Sequence, residues 1–183
     1  MENSSLNSSK KTIIISIVAI KSNTGKTTLI EKLIKEFKSR DYSIGVLKHD
    51  AHKFDIDKEG KDSFKFSKAG ADNVIISSSE KLAMIQKLKR ELPIGEILLL
   101  FKDIDIVLIE GYKSNNYPKI EVHRKGVDSN LLYNNPNYNI SQIIALASDE
   151  EIDVNIPLLD LNDVNSICDF IESKLTRGEH NSE

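Results

Sequence analysis

Lys26 and Thr27 directly follow Gly25, and an apolar, mostly β-branched run at residues 13–20 leads into them through a short polar turn. A strand, a tight turn and then Gly-Lys-Thr at a helix start offer a polyphosphate a row of backbone N–H groups and a positive helix end. The candidate nucleotide-binding stretch is therefore Lys21, Ser22, Asn23, Thr24, Gly25, Lys26, Thr27 and Thr28. In it Lys26 supplies a point charge for the terminal phosphates, and the Thr27 hydroxyl supplies a ligand for Mg²⁺. The P-loop pattern G-x-x-x-x-G-K-[ST] asks for glycine at position 20, where this chain has Ile20. The second half of the pattern is intact.

Such a loop needs an acid to hold the metal or orient the attacking water, placed where a buried strand ends beside it. Glu110, after Ile106-Val107-Leu108-Ile109, fits that place, and Gly111 would let the backbone approach the terminal phosphate. Lys26 and Glu110 are thus the expected catalytic pair, and Thr27 and Glu110 the expected metal ligands. Asp105, at the start of the same strand, reads as structural. Asp149 ends a later apolar strand, where a base would lie; one carboxylate can accept both N–H groups of guanine. A loop or helix-capping aspartate is the competing reading, since no N-K-x-D motif is present.

Residues 49–61 form a polar loop after the second strand, rich in His49, Asp50, His52, Asp55 and Asp57. Its spacing matches no standard zinc site. A phosphate- or Mg²⁺-facing switch segment is the other reading, with Lys48, His49, Asp55 and Asp57 as its residues. Lys113, Lys119 and Arg124 flank the Glu110 segment and are candidates for a phosphorylated ligand or for solvated surface.

The elements that must position these groups follow from periodicity. Residues 26–40 carry Leu29, Ile30, Leu33, Ile34 and Phe37 at helical spacing, and a parallel strand follows at 42–48, a βαβ unit. A short helix is expected at 62–69, with Asp62 or Ser63 near its N-cap, and then two strands at 73–77 and 81–87 joined as a hairpin. A helix at 93–101, strands at 105–110, 119–123, 143–147 and 156–159, and a closing helix at 163–175 complete the chain. The alternation in Lys119-Ile120-Glu121-Val122-His123 predicts an edge or half-exposed strand. The result is one three-layer α/β P-loop NTPase domain at 12–175, with a mainly parallel twisted sheet and a small β-hairpin insertion at about 71–90. Residues 1–11 are expected to be a disordered tail, and 176–183 a flexible one.

Composition narrows the class. The 183 residues are 39% apolar and 29% charged, with a formal net charge of −3, so no broad nucleic-acid or anionic-membrane surface is expected. No apolar run approaches a membrane span and the polar start has no signal-like core, which fits a cytoplasmic protein. The single cysteine, Cys168, is expected to be buried and structural.

Several strings together resemble a family. Lys48-His49, Phe54-Asp55-Ile56-Asp57, Gly60-Lys61-Asp62-Ser63 and Lys68-Ala69-Gly70-Ala71 are similar to the molybdopterin-guanine dinucleotide biosynthesis adaptor proteins, the MobB family of P-loop GTPase-like proteins of the SIMIBI type. Leu108-Ile109-Glu110-Gly111-Tyr112-Lys113, Lys119-Ile120-Glu121 and the run from Ile144 to Asp149 fit as well, as does the run from Leu158 to Asp163. The resemblance implies a homodimer that binds GTP with Mg²⁺ and hydrolyses it weakly. It also implies a partner, the guanylyltransferase that attaches GMP to molybdopterin in molybdenum cofactor biosynthesis, and with it molybdopterin itself.

Competing readings remain at this level. Counted from Lys21, the loop KSNTGKTT looks like that of dimeric ParA- and MinD-type ATPases, without their paired glycines. A MinD-type anchor would need a basic amphipathic C-terminal helix, whereas residues 163–175 set Asp163, Asp169 and Glu172 against Lys174. A kinase would close several arginines over its phosphates, and of Arg40, Arg90, Arg124 and Arg177 only Arg124 is well placed. A metal-insertion NTPase rests on the 49–57 loop alone.

Overall fold

The apolar run ahead of the Gly-Lys-Thr stretch forms β1, Ile13–Val18, an interior strand of a six-stranded sheet. The computed structural model describes residues 12–49, 56–127, 130–138 and 140–176. The two expected tails fall almost wholly outside them. The chain divides into two compact units, Met1–His49 with Phe101–Glu183, and Asp50–Leu100. The hairpin expected near 71–90 is part of the second.

The sheet of the first unit adds β2 (Ile44–Lys48), β5 (Ile106–Glu110), β6 (Lys119–His123), β7 (Ile143–Ser148) and β8 (Leu158–Asp160) to β1. Its order is β2-β5-β1-β6-β7-β8, and every neighbouring pair is parallel. Parallel strands align their carboxyl ends, and ligands of open sheets bind outside those ends. β5 and β6 flank β1, so the residues that end these three strands share one rim.

One face of the sheet is covered by α1 (Lys26–Ser39) and α4 (Val164–Thr176). The predicted stripe of α1 buries Leu29, Ile30, Leu33 and Phe37, and α4 contributes Ile167, Cys168 and Ile171 to the same core. Arg40, just past α1, pairs with Glu36 at 2.8 Å, Asp169 at 2.5 Å and Glu172 at 3.2 Å, tying the two helices together. Burial pushes the Cys168 thiol up to about 12, so it is an inert core residue, as expected. Gly45 lies against Phe101, and a Cβ there would overlap that ring. Asp105 accepts from the Ser43 backbone N–H at 2.9 Å and its hydroxyl at 2.8 Å, the structural role expected of it.

The other face of the sheet carries a second, smaller apolar cluster. Among the described residues of this unit, 3₁₀ turns rather than α-helices pack there, at Leu132–Asn134 and Ile140–Gln142, with Leu132 against Val18 and Ile143. β6 corrects the sequence reading: it is an interior strand with all five residues buried. Its polar face is satisfied by protein instead of water. Lys119 Nζ donates to the Asn115 and Tyr117 carbonyls, Glu121 accepts the Leu132 N–H at 2.6 Å and the Tyr133 N–H at 2.9 Å, and His123 Nε2 lies 2.9 Å from Glu150. Burial raises the pKa of Glu121, against the pull of those two N–H groups.

The second unit holds α2 (Asp62–Lys68), the antiparallel hairpin of β3 (Asn73–Ser77) and β4 (Leu82–Gln86), and α3 (Ile94–Leu98). α2 opens where expected, with Asp62 as its first residue. Lys61 is its N-cap, without a side-chain bond, while Ser63 Oγ donates to Asp57 at 2.8 Å and Asp62 pairs with Lys65. α3 is shorter than the 93–101 helix predicted. No helix among the described residues is long and apolar enough to cross a membrane.

Candidate functional site

β1 ends at Val18, and the turn at residues 21–25 reaches the first residue of α1, Lys26. Two left-handed residues make the turn, Asn23 with φ 62 and Gly25 with φ 94. Asparagine is among the few side chains that tolerate this region, so Asn23 does here what a glycine would otherwise do. Gly25 is the helix N-cap and makes no side-chain cap bond. The first-turn amides of α1 have no partner within the helix, as at any helix start, and face outward from a positive helix end.

Lys26 is placed against that dipole. The first turn of α1 holds a lysine and no acidic residue. A cation at a helix N-terminus costs about 0.3–1 kcal/mol relative to a neutral residue. Burial lowers the Lys26 pKa first; Glu110 opposes that, and Lys113 and Lys48 add to it. A partly desolvated ammonium among other cations is a site arranged for an anion.

Three cationic side chains rest on carbonyl groups of this one turn. Lys26 Nζ donates to the Lys21 carbonyl at 3.2 Å, Lys113 Nζ to the Ile20 carbonyl at 2.8 Å, and Arg124 Nε to the Thr24 carbonyl at 3.4 Å. In the sequence Lys113, Lys119 and Arg124 form one basic group around the Glu110 segment. The structure separates them: Lys119 is buried at the start of β6 on the Asn115 and Tyr117 carbonyls, whereas Lys113 and Arg124 join Lys26. The signal available in the sequence was position, since both follow strands whose carboxyl ends flank β1.

Glu110 ends β5, in register with Ile17 of β1 and Lys48 of β2. The Thr27 hydroxyl donates to Glu110 Oε1 at 3.0 Å. A hydroxyl beside a carboxylate is the donor set that would hold Mg²⁺, a cation that takes oxygen ligands. Gly111, with φ 93, donates its N–H to the Ile17 carbonyl at 3.2 Å, so that group is engaged within the sheet. Tyr112 follows with φ 51, a conformation that costs a bulky residue about 1–3 kcal/mol. Its ring stacks on His49, centroids 4.1 Å apart, and the His49 N–H is bonded to the Glu110 carbonyl. This stack beside Glu110 was not foreseen.

Asp149 lies just past β7, exposed, and its Oδ1 accepts the Lys125 N–H at 2.7 Å. Ser22, Thr27 and Thr28 are exposed and Thr24 is buried. Of the expected switch residues, Lys48 and His49 end β2 beside Glu110. Asp57 belongs to the second unit, where it lines a cavity of about 670 Å³ with Phe66 and Val74. Asp55, like Asp50 and His52, lies outside the described residues. Among the described residues, no group of three or more His, Cys, Asp or Glu side chains is placed to hold a metal.

Three comparisons with known proteins bear on this site. The family model described as molybdopterin guanine dinucleotide synthesis protein B, MobB, matches residues 14–149, a span holding every site residue from Lys21 to Asp149. The chain is 35% identical over 156 residues to the molybdopterin-guanine dinucleotide biosynthesis adapter protein of Haemophilus influenzae, covering 84% of this chain and 85% of that one. The protein of the same name from Escherichia coli is also 35% identical over 156 residues, covering 82% and 86%. A crystal structure of molybdopterin-guanine biosynthesis protein B superposes with a TM-score of 0.69 at 28% identity, covering 88% of this chain and 99% of that one.

Proposed function

The chain belongs to the MobB family, and on that premise we propose that it is an adapter in molybdopterin-guanine dinucleotide biosynthesis, working through a GTP–Mg²⁺ site at residues 21–28. The observation that carries the nucleotide reading is the surplus of positive charge on one turn. Lys26, Lys113 and Arg124 all rest on neutral carbonyls of residues 20–24, beside the Thr27–Glu110 pair. A polyphosphate replaces those weak bonds with charge-assisted ones and relieves the mutual repulsion of the cations.

In this proposal the amides at the start of α1 bind phosphate oxygens, and Lys26 neutralises the terminal phosphates. Thr27 and Glu110 hold Mg²⁺, which supplies charge stabilisation at the phosphoryl group. Asp149 lies at the end of β7 for the base, where its carboxylate accepts guanine N–H groups. Hydrolysis is weak, because Glu110 is the one acid that the described residues place beside Lys26 and Thr27. The product of interest is another enzyme's turnover. The homodimer assists a guanylyltransferase that joins GMP to molybdopterin, and it does so in the cytoplasm, where GTP is abundant and a thiol such as Cys168 stays reduced.

The test is reconstitution. A guanylyltransferase, molybdopterin and Mg²⁺–GTP are incubated with and without this protein, and guanylated cofactor is quantified. The protein is expected to raise the yield or rate several-fold and to co-purify with the transferase. An unchanged yield with no association would overturn the adapter role.

A further inference from the structure

We propose that Arg124 is a ligand of the nucleotide's diphosphate, supplied by the same chain from the end of β6. This inference rests on the nucleotide-binding reading and names a contact within that site.

Position comes first. β5 and β6 lie on opposite sides of β1. Glu110, ending β5, meets the first turn of α1 at Thr27, and Arg124, following β6, meets the preceding turn at Thr24 and Gly25. The Arg124 guanidinium lies directly on Gly25: its Nη2 is 3.2 Å from the point a Cβ on that residue would occupy. The N-cap of α1 thus has an arginine laid against it. That cap opens onto the first-turn amides, the groups a phosphate would meet.

Charge comes second. Among the described residues no carboxylate lies within ion-pair distance of Arg124, whereas Arg40 has three carboxylate partners and Arg90 pairs with Glu96 at 3.6 Å. Arg124 is instead held by one long bond to a neutral carbonyl, with four further N–H donors left in its fork. Exchanging that bond for a bidentate contact with phosphate oxygens is favourable, and guanidinium suits it better than ammonium does.

Rigidity comes third. The main chain on both sides of Arg124 is pinned, by the Lys125 N–H on Asp149 at 2.7 Å and by the pairing of His123 with Ser148 between β6 and β7. The base-side strand end therefore fixes where Arg124 starts, and only its side chain needs to move. Because it approaches from the side opposite Thr27 and Glu110, it meets the phosphates that GDP and GTP share.

The experiment compares wild type, Arg124→Gln and Arg124→Lys by calorimetry with Mg²⁺–GDP and Mg²⁺–GTP, with unfolding temperatures recorded without ligand. Glutamine keeps an amide that can donate to the Thr24 carbonyl but carries no charge, so a merely structural arginine is replaced without loss. The contact predicts that Arg124→Gln weakens both nucleotides alike, by about ten- to a hundredfold, and flattens the salt dependence of binding. Arg124→Lys should recover part of the affinity, and in hydrolysis KM should rise by more than kcat falls. Affinities equal to wild type in Arg124→Gln overturn the contact, and so does a loss confined to GTP. A wild-type protein that binds neither nucleotide overturns the nucleotide-binding reading and this contact together, whereas wild-type binding with Arg124→Gln unchanged overturns the contact alone.

Discussion

Replacing Lys26 with alanine is expected to weaken Mg²⁺–GTP binding by about a hundredfold or more, the loss of a charge-assisted contact in a partly desolvated site. The prediction is sharp because the same change should not harm the free protein. Lys26 opens α1 with its charge at the positive end of the helix dipole, and no acid in the first turn offsets it. Among the described residues its ammonium bonds a loop carbonyl alone, at 3.2 Å. Alanine has higher helix propensity and no charge, so the ligand-free unfolding temperature should hold or rise slightly. Function lost without stability lost is the mark of a residue kept for its ligand. Affinity unchanged in this variant would remove residues 21–28 from nucleotide binding.

Glu110→Gln is expected to separate binding from hydrolysis. Glutamine keeps an oxygen that can accept the Thr27 hydroxyl, which lies 3.0 Å from the carboxylate, so the fit of α1 against β5 survives. What is lost is the negative charge beside the metal and the capacity to orient or deprotonate water. GTP affinity should fall by less than about tenfold while kcat falls by about a hundredfold, the range of a positioned acid or base. Single-turnover hydrolysis under saturating GTP, set beside calorimetry, measures both. An unchanged rate would take Glu110 out of the chemistry and leave it a structural partner of Thr27.

Much of the first unit was legible because its signals are local. The apolar run of β1, the helical stripe from Leu29 to Phe37 and the acid ending β5 are each read within a few residues. The turn was readable with Ile20 in place of the pattern's first glycine because Gly25-Lys26-Thr27 stands intact between a strand and a helix. β6 shows where local reading fails. Alternation says which side chains share a face but not what covers it. The partners of Glu121 and His123 come from Leu132, Tyr133 and Glu150, and an interior strand therefore read as an edge. Arg124 was marked as basic and well placed, yet its contact with Thr24 spans 100 residues of sequence. Only the parallel order of β1 and β6 brings the two together. Asp149 carries two readings in the sequence, and its bond to the Lys125 N–H is the loop contact that one of them expects.

The claim on which the rest depends is guanine nucleotide binding. It is tested most directly by calorimetric titration of the wild-type protein with Mg²⁺–GTP and, separately, Mg²⁺–ATP. The account predicts a dissociation constant in the micromolar range for GTP, about −8 kcal/mol at 1 μM, with ATP at least about tenfold weaker. Equal affinities, or tighter binding of ATP, would contradict it.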